Sequence, residues 1–157
     1  MSLFRNRTVW PILVFVALLI LAFATRCRAE SELWLEAGSS IVRNEAPVLG
    51  FAIDWPTAGP ADTGYSLSLH LIGESDGIPN QSALGAMVVD GFGQFEIGFG
   101  ICLLHHADIR NGSRANFTLS VGYRFGGKTS VRARHCSNAG QTDVNKGLDM
   151  AVIRRRL

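Results

Sequence analysis

The stretch that decides the fold is Phe117-Thr118-Leu119-Ser120-Val121-Gly122-Tyr123-Arg124-Phe125. Large apolar side chains occupy every second position, and small, polar or charged residues lie between them. This two-residue period is that of a β-strand with two different faces. Because threonine, serine, glycine and arginine cannot form the dry core of a soluble sandwich, we expect the apolar face to point outward, toward lipid.

The same alternation recurs along the chain and divides it into eight strands. Residues 65–71 set leucines against serines and a histidine, and residues 94–101 set phenylalanine and isoleucine against glycine and Glu96. An even number of antiparallel strands can close into a barrel, which pairs every backbone group that hydrocarbon would otherwise surround. The predicted fold is therefore an all-β, eight-stranded antiparallel transmembrane β-barrel. Its strands are predicted at residues 32–38, 48–54, 64–73, 82–90, 92–107, 115–125, 128–137 and 147–155.

The connections between these strands are predicted to alternate in length. Short turns at Asp90-Gly91 and Gly126-Gly127 alternate with longer connections at residues 39–47, 74–81, 108–114 and 138–146. Short periplasmic turns and long outer loops are typical of outer-membrane barrels, which predicts the outer membrane of a Gram-negative bacterium. The alternative is a soluble periplasmic barrel of the lipocalin kind, with the apolar residues inside around a ligand.

The first segment has the features of a secretory signal peptide. Arg5 and Arg7 precede an apolar run over residues 9–24, which is shorter than the roughly 20 residues of a membrane-spanning helix. We predict a signal peptide at residues 1–29 and one barrel domain at residues 30–157, with an uncleaved signal anchor as the alternative. Removing the signal takes away four arginines and no acidic residue, so the formal net charge falls from +2 to about −2. No basic field is then left for nucleic acid.

The interior of the predicted barrel is charged. Glu96, Arg124, Arg132, Arg134 and Arg154 share the inward parity. They would form either a buried ionic network or scattered charges in a wet lumen.

Two cysteines remain after the signal, and we predict that both are free thiols. Cys102 and Cys136 face inward from strands that are separated by one other strand, which places them near ~10 Å apart and beyond disulfide reach. The four histidines show no paired ligand spacing, so no metal site is predicted.

A candidate catalytic site lies near the end of the chain. Val131 and Ala133 alternate with arginines, so His135 and Ser137 project from the same apolar face. If the following segment folds back symmetrically, Asp149 falls opposite His135 on the last strand, within cross-strand reach. A serine nucleophile needs an imidazole to take its proton, and the imidazole needs a carboxylate to fix its tautomer. These three residues are therefore predicted to form a catalytic triad.

The tetrahedral intermediate of acyl transfer also needs a hydrogen-bond donor. Asn138 directly follows the candidate serine and offers a side-chain amide, and the region of Gly140 offers backbone N–H groups. The alternative is that histidine, serine and asparagine are ordinary polar residues at the rim of a barrel.

Three motifs in the last third of the chain are Gly122-Tyr123-Arg124-Phe125, Arg134-His135-x-Ser137-Asn138-Ala139-Gly140 and Asn145-x-Gly147-x-Asp149. They resemble motifs of the outer-membrane lipid A 3-O-deacylases. The resemblance assigns the nucleophile to Ser137, the base to His135 and the acid to Asp149. It also implicates Asn138 in the oxyanion hole. The family's usual acid is glutamate, so the aspartate is a departure from its pattern.

The predicted position of the site fits a lipid substrate. A triad on the lipid face near the outer leaflet would meet lipopolysaccharide, whose lipid A carries ester-linked acyl chains. The implied enzyme is a carboxylic ester hydrolase that works through an acyl-serine and needs no cofactor. The alternatives are a structural barrel without chemistry and a phospholipase of the same leaflet, and a homodimer stays open.

Overall fold

A computed structural model describes residues 31–41, 45–56, 63–75, 79–107, 112–138, 140 and 147–157. The predicted signal peptide at residues 1–29 lies outside the described residues. Eight strands are present, with these bounds: β1 Glu32–Ser40, β2 Pro47–Pro56, β3 Gly64–Ile72, β4 Gln81–Phe92, β5 Phe95–Leu104, β6 Ala115–Arg124, β7 Thr129–Ser137 and β8 Leu148–Arg156.

The strands form one closed antiparallel barrel in chain order, as predicted. β1 closes the barrel by pairing with β8, so that Trp34 lies opposite Arg156 and Ser40 lies opposite Met150. Closure leaves no strand with an unpaired edge. No helix within the described part of the chain is long and apolar enough to cross a membrane.

The outer face of the barrel is apolar and the inner face is polar, as the alternation predicts. Every strand exposes large aromatic or aliphatic side chains, and on β5 and β6 they include Phe95, Ile97, Phe99, Ile101, Leu103, Phe117, Leu119 and Val121. Serine, threonine, arginine and glutamate residues on the same strands are buried. The lipocalin-like alternative is therefore wrong, because it would place the apolar residues inside.

The turn between β4 and β5 differs from the prediction. The sequence placed it at Asp90-Gly91, whereas both residues belong to β4 and the turn is formed by Gly93-Gln94. Phe92 pairs with Phe95 across this turn, and Gly93 adopts the positive φ of 66° that glycine tolerates. An Asp-Gly pair is a strong turn signal. Asp90-Gly91 does not form the turn here, because the β4–β5 ladder continues for two more residues on each strand.

The lumen contains the ionic network that the inward charges indicated. Glu96 accepts a hydrogen bond from Arg132 at 2.8 Å and is also bonded by Arg124. Arg154 donates to Glu36 at 2.6 Å and to Asp54 at 2.9 Å. Arg132 and Arg154 are almost completely buried, so each charge needs these partners. The described part of the lumen thus contains a network of paired charges.

The two described cysteines, Cys102 and Cys136, are buried free thiols, as predicted. Cys102 pairs with Asn116 and Cys136 pairs with Thr118, so the two cysteines lie on the strands to either side of β6. The Cys136 thiol also donates to the Thr118 hydroxyl at 3.7 Å.

Candidate functional site on the outer wall

The end of β7 presents His135 and Ser137 on the outside of the barrel. Exposed and buried residues alternate strictly along this strand, with Arg134 and Cys136 turned inward. The strict alternation follows from the pleat of the strand, which sends successive side chains to opposite faces. The sequence therefore located both candidate residues on the correct face.

His135 and Asp149 face each other across the β7–β8 ladder and form a hydrogen bond. They are register partners, and the imidazole Nδ1 donates to the Asp149 Oδ1 at 2.7 Å. The two side chains are 48% and 24% exposed, so the pair lies at the surface of the wall. A carboxylate at Nδ1 fixes the ring orientation and turns Nε2, the nitrogen that can accept a proton from a hydroxyl, away from it.

Ser137 is the last residue of β7 and is half-buried. It lies two residues after His135 on the same face and opposite Phe117 of β6. β5 and β7 run in the same direction, so Leu104 and Ser137 end their strands at the same rim of the barrel. The serine and the histidine–aspartate pair therefore share one outer surface near one rim.

Asn138 begins the connection that follows β7 and is completely buried. Its side-chain oxygen accepts a hydrogen bond from the backbone N–H of Gly140 at 2.9 Å. The Gly140 N–H, which the sequence suggested as an oxyanion donor, is therefore engaged by Asn138. The local role of the asparagine side chain is to hold the turn that leads away from the serine.

The polar pair is surrounded by apolar side chains on the outer wall. The strand registers place Asp149, His135, Leu119 and Phe99 in one row across β8, β7, β6 and β5, and Ile41, which follows β1, extends this row through its backbone bond to Asp149. Ile41, Leu119 and Phe99 are all about half exposed. A titratable pair adds no apolar surface to this row, and ionisable side chains among lipid-facing residues are unfavourable and usually functional. The position therefore favours a functional role.

Gly147 is a residue whose role at this site the sequence did not reveal. It precedes β8, has a φ of 75°, and lies directly against the His135 ring. Gly147 belongs to the Asn145-x-Gly147-x-Asp149 motif, but the motif does not indicate which neighbouring residue requires a glycine there. Only the folded arrangement brings the two residues together.

Among the residues that the structure describes, no group of three or more histidine, cysteine, aspartate or glutamate side chains could hold a metal ion.

Comparison with known proteins identifies the family. The sequence profile of the family described as "Lipid A 3-O-deacylase (PagL)" matches residues 50–157. The crystal structure of the outer membrane enzyme PagL has the same fold, with 17% sequence identity and a TM-score of 0.61 over 80% of this chain and 98% of that chain. No curated protein sequence matches. Since the family profile covers more than half of the chain, the protein belongs to the lipid A 3-O-deacylase (PagL) family.

Proposed function

We propose that this protein is an outer-membrane lipid A deacylase that hydrolyses an ester-linked acyl chain of lipopolysaccharide with Ser137, His135 and Asp149. The observation that carries the proposal is the hydrogen-bonded His135–Asp149 pair, with Ser137 beside it, on the apolar outer wall. An outward site can reach an acyl chain without extracting the lipid from the leaflet. Membership of the family supports lipid A as the substrate.

In the proposed reaction, the Ser137 hydroxyl attacks the carbonyl carbon of the ester. His135 takes the hydroxyl proton at Nε2 while Asp149 accepts the hydrogen bond from Nδ1 and stabilises the imidazolium. The tetrahedral intermediate collapses, and the ester oxygen leaves with the proton that His135 returns to it. Water then attacks the acyl-serine by the same route, and a free fatty acid and the regenerated serine result.

Asn138 supplies the oxyanion donor in this scheme, through its backbone N–H instead of the side-chain amide that the sequence suggested. Its backbone N–H directly follows the nucleophile, which is where many serine hydrolases place one of their donors. Its side chain is buried and its amide oxygen is bonded to Gly140. The bonded side chain fixes the turn, so the backbone N–H is held in place beside the serine.

The proposal is tested by mass spectrometry of lipid A incubated with the purified protein in detergent. The wild-type protein is expected to release one acyl chain, and Ser137→Ala is expected to release none. Ser130→Ala is the matched control, because Ser130 lies on the same strand but is buried in the lumen. Intact lipid A with a correctly folded wild-type barrel would contradict the proposal.

A further inference from the structure

Gly147 leaves a space that the imidazole of His135 fills. A Cβ at position 147 would lie 2.4 Å from Cε1 of the ring, 3.1 Å from Nδ1 and 3.3 Å from Nε2. Non-bonded carbon atoms normally approach to about 3.5–4.0 Å. Any side chain at this position would therefore collide with the ring, and the ring would have to move.

The contact falls on the edge of the ring that matters for catalysis. Cε1 lies between the two ring nitrogens, and the nearby Nδ1 donates to Asp149 at 2.7 Å. Leu119 lies opposite His135 on the other neighbouring strand. The imidazole thus has a carboxylate on one side, an apolar strand on the other and the bare Cα of Gly147 at its edge.

We infer that Gly147 is a positioning residue for the catalytic imidazole: its missing side chain lets His135 hold Nδ1 against Asp149 and present Nε2 to Ser137. The catalytic consequence rests on the proposed function, whereas the contact itself does not. A methyl group at residue 147 would push on both nitrogens at once. Because the ring is half exposed, it can swing outward, so the change would misplace the base without unfolding the barrel.

Backbone conformation alone does not explain this glycine. Gly147 has a φ of 75°, which disfavours other residues, and Gly93 has a similar φ of 66° in the β4–β5 turn. A Cβ on Gly93 would meet nothing within 4 Å. The two positions therefore share the backbone strain of an alanine substitution, and only position 147 adds a collision with the ring.

The first test compares the kinetics of Gly147→Ala and Gly93→Ala on lipid A. We expect kcat to fall about 10²-fold in Gly147→Ala, because small displacements of catalytic groups have effects of this order. KM should change by less than about twofold, since the apolar wall is intact. Gly93→Ala should keep the wild-type kcat. An unchanged kcat in Gly147→Ala would overturn the inference.

The second test asks whether Gly147 acts through the His135–Asp149 pair. If both neighbours orient the same ring, their effects should not add. Gly147→Ala should then lower kcat by no more than about threefold in the Asp149→Ala background. A full 10²-fold loss in that background would show that Gly147 acts elsewhere.

The third test does not depend on lipid A hydrolysis. The ¹⁵N resonances of the His135 ring, assigned by their loss in His135→Ala, report which nitrogen carries the proton. Wild type and Gly93→Ala should show one tautomer with the proton on Nδ1, and Gly147→Ala should show a mixture. If the wild-type protein fails to hydrolyse lipid A but the tautomer still changes, the positioning contact stands and the proposed function fails. An unchanged tautomer overturns the inference.

Failure of Gly147→Ala to assemble would be resolved by a second variant. The substitution is then combined with His135→Ala, which removes the ring that the new methyl group strikes. Assembly of the double variant would support the contact, because the collision is relieved. If neither variant assembles, the defect arises from the backbone at residue 147, and the inference is overturned.

Discussion

The two faces of β7 carry polar residues in different surroundings. On the inner face, Arg132 is 1% exposed, bonds Glu96 at 2.8 Å and lies 3.8 Å from Asp54. On the outer face, His135 is 48% exposed and bonds only Asp149 among the described partners. The inner charges are neutralised by several neighbours, as buried charges must be. The His135–Asp149 pair on the outer face lies among exposed apolar side chains.

The polar residues on the inner face of β7 stabilise the barrel, whereas those on its outer face are exposed on the wall. Removing an inner charge leaves its partners buried and uncompensated. Removing an outer polar group leaves an apolar wall that is closer to the rest of the exterior. We therefore expect substitutions on the inner face to change stability and substitutions on the outer face of β7 to change activity.

The largest expected effect is on activity, in Ser137→Ala and His135→Ala. Each should lower acyl release by about 10⁴-fold or more, because the proposed nucleophile or its proposed base is lost. The urea midpoint of unfolding should stay close to that of the wild type, since neither side chain belongs to the inner network. Release of fatty acid from lipid A and urea titration measure the two quantities. A large loss of stability in Ser137→Ala would break the comparison.

The next effect is on stability, in Glu96→Ala. Arg132 and Arg124 would lose their shared carboxylate, which should destabilise the barrel by about 3–5 kcal/mol. The folded fraction should keep its activity. The urea midpoint measures the change, and Glu74→Ala is the control because Glu74 is exposed after β3. Equal midpoints in the two variants would show that the lumen network contributes little.

A smaller loss of stability is expected for Val121→Arg on the outer face of β6. A charge near the middle of the lipid-facing wall is unfavourable by about 2–4 kcal/mol. Val121→Ala is the matched control, because it shortens the same side chain without adding charge. The fraction of heat-modifiable, folded barrel recovered from membranes measures the effect. Similar recovery of the two variants would argue against a lipid-facing wall at this position.

The smallest expected effect is that of Asp149→Glu. The longer carboxylate is the usual acid of the resembled family, and the cross-strand position leaves it in reach of His135. The rate of acyl release should therefore be retained or raised, within about tenfold of the wild type. Asp149→Ala should fall well below both, yet above Ser137→Ala. A wild-type rate in Asp149→Ala would show that Asp149 is not the third member of the proposed triad.

The sequence was most informative where a single strand carries the pattern. Alternation along residues 117–125 predicted both the strand and its outward face, since the pleat of a strand fixes the face of every residue. The same reasoning located His135 and Ser137. The position of Asp149 followed from the equal distances of both residues from the middle of the β7–β8 connection.

The sequence was least informative where contacts depend on closure. Glu36, Asp54 and His70 were not predicted as members of the lumen network. Glu36, for example, bonds Arg154, which is 118 residues away in the sequence. His70 contacts the same glutamate. No local pattern reports such neighbours, because the contact of Glu36 with Arg154 depends on the pairing of β1 with β8, and that with His70 depends on the curvature of the sheet from β1 to β3. The position of the turn at Gly93-Gln94 also depends on the register of the whole β4–β5 ladder.

The sequence by itself determined the strands, their two faces and the types of residue that a serine hydrolase needs. These properties depend on the two-residue period of one chain segment. The tertiary structure alone decided which charges meet in the lumen, that Asn138 holds the turn through Gly140, and that Gly147 lies against the His135 ring. Each of these depends on distances between atoms that only the paired strands and the closed barrel bring together.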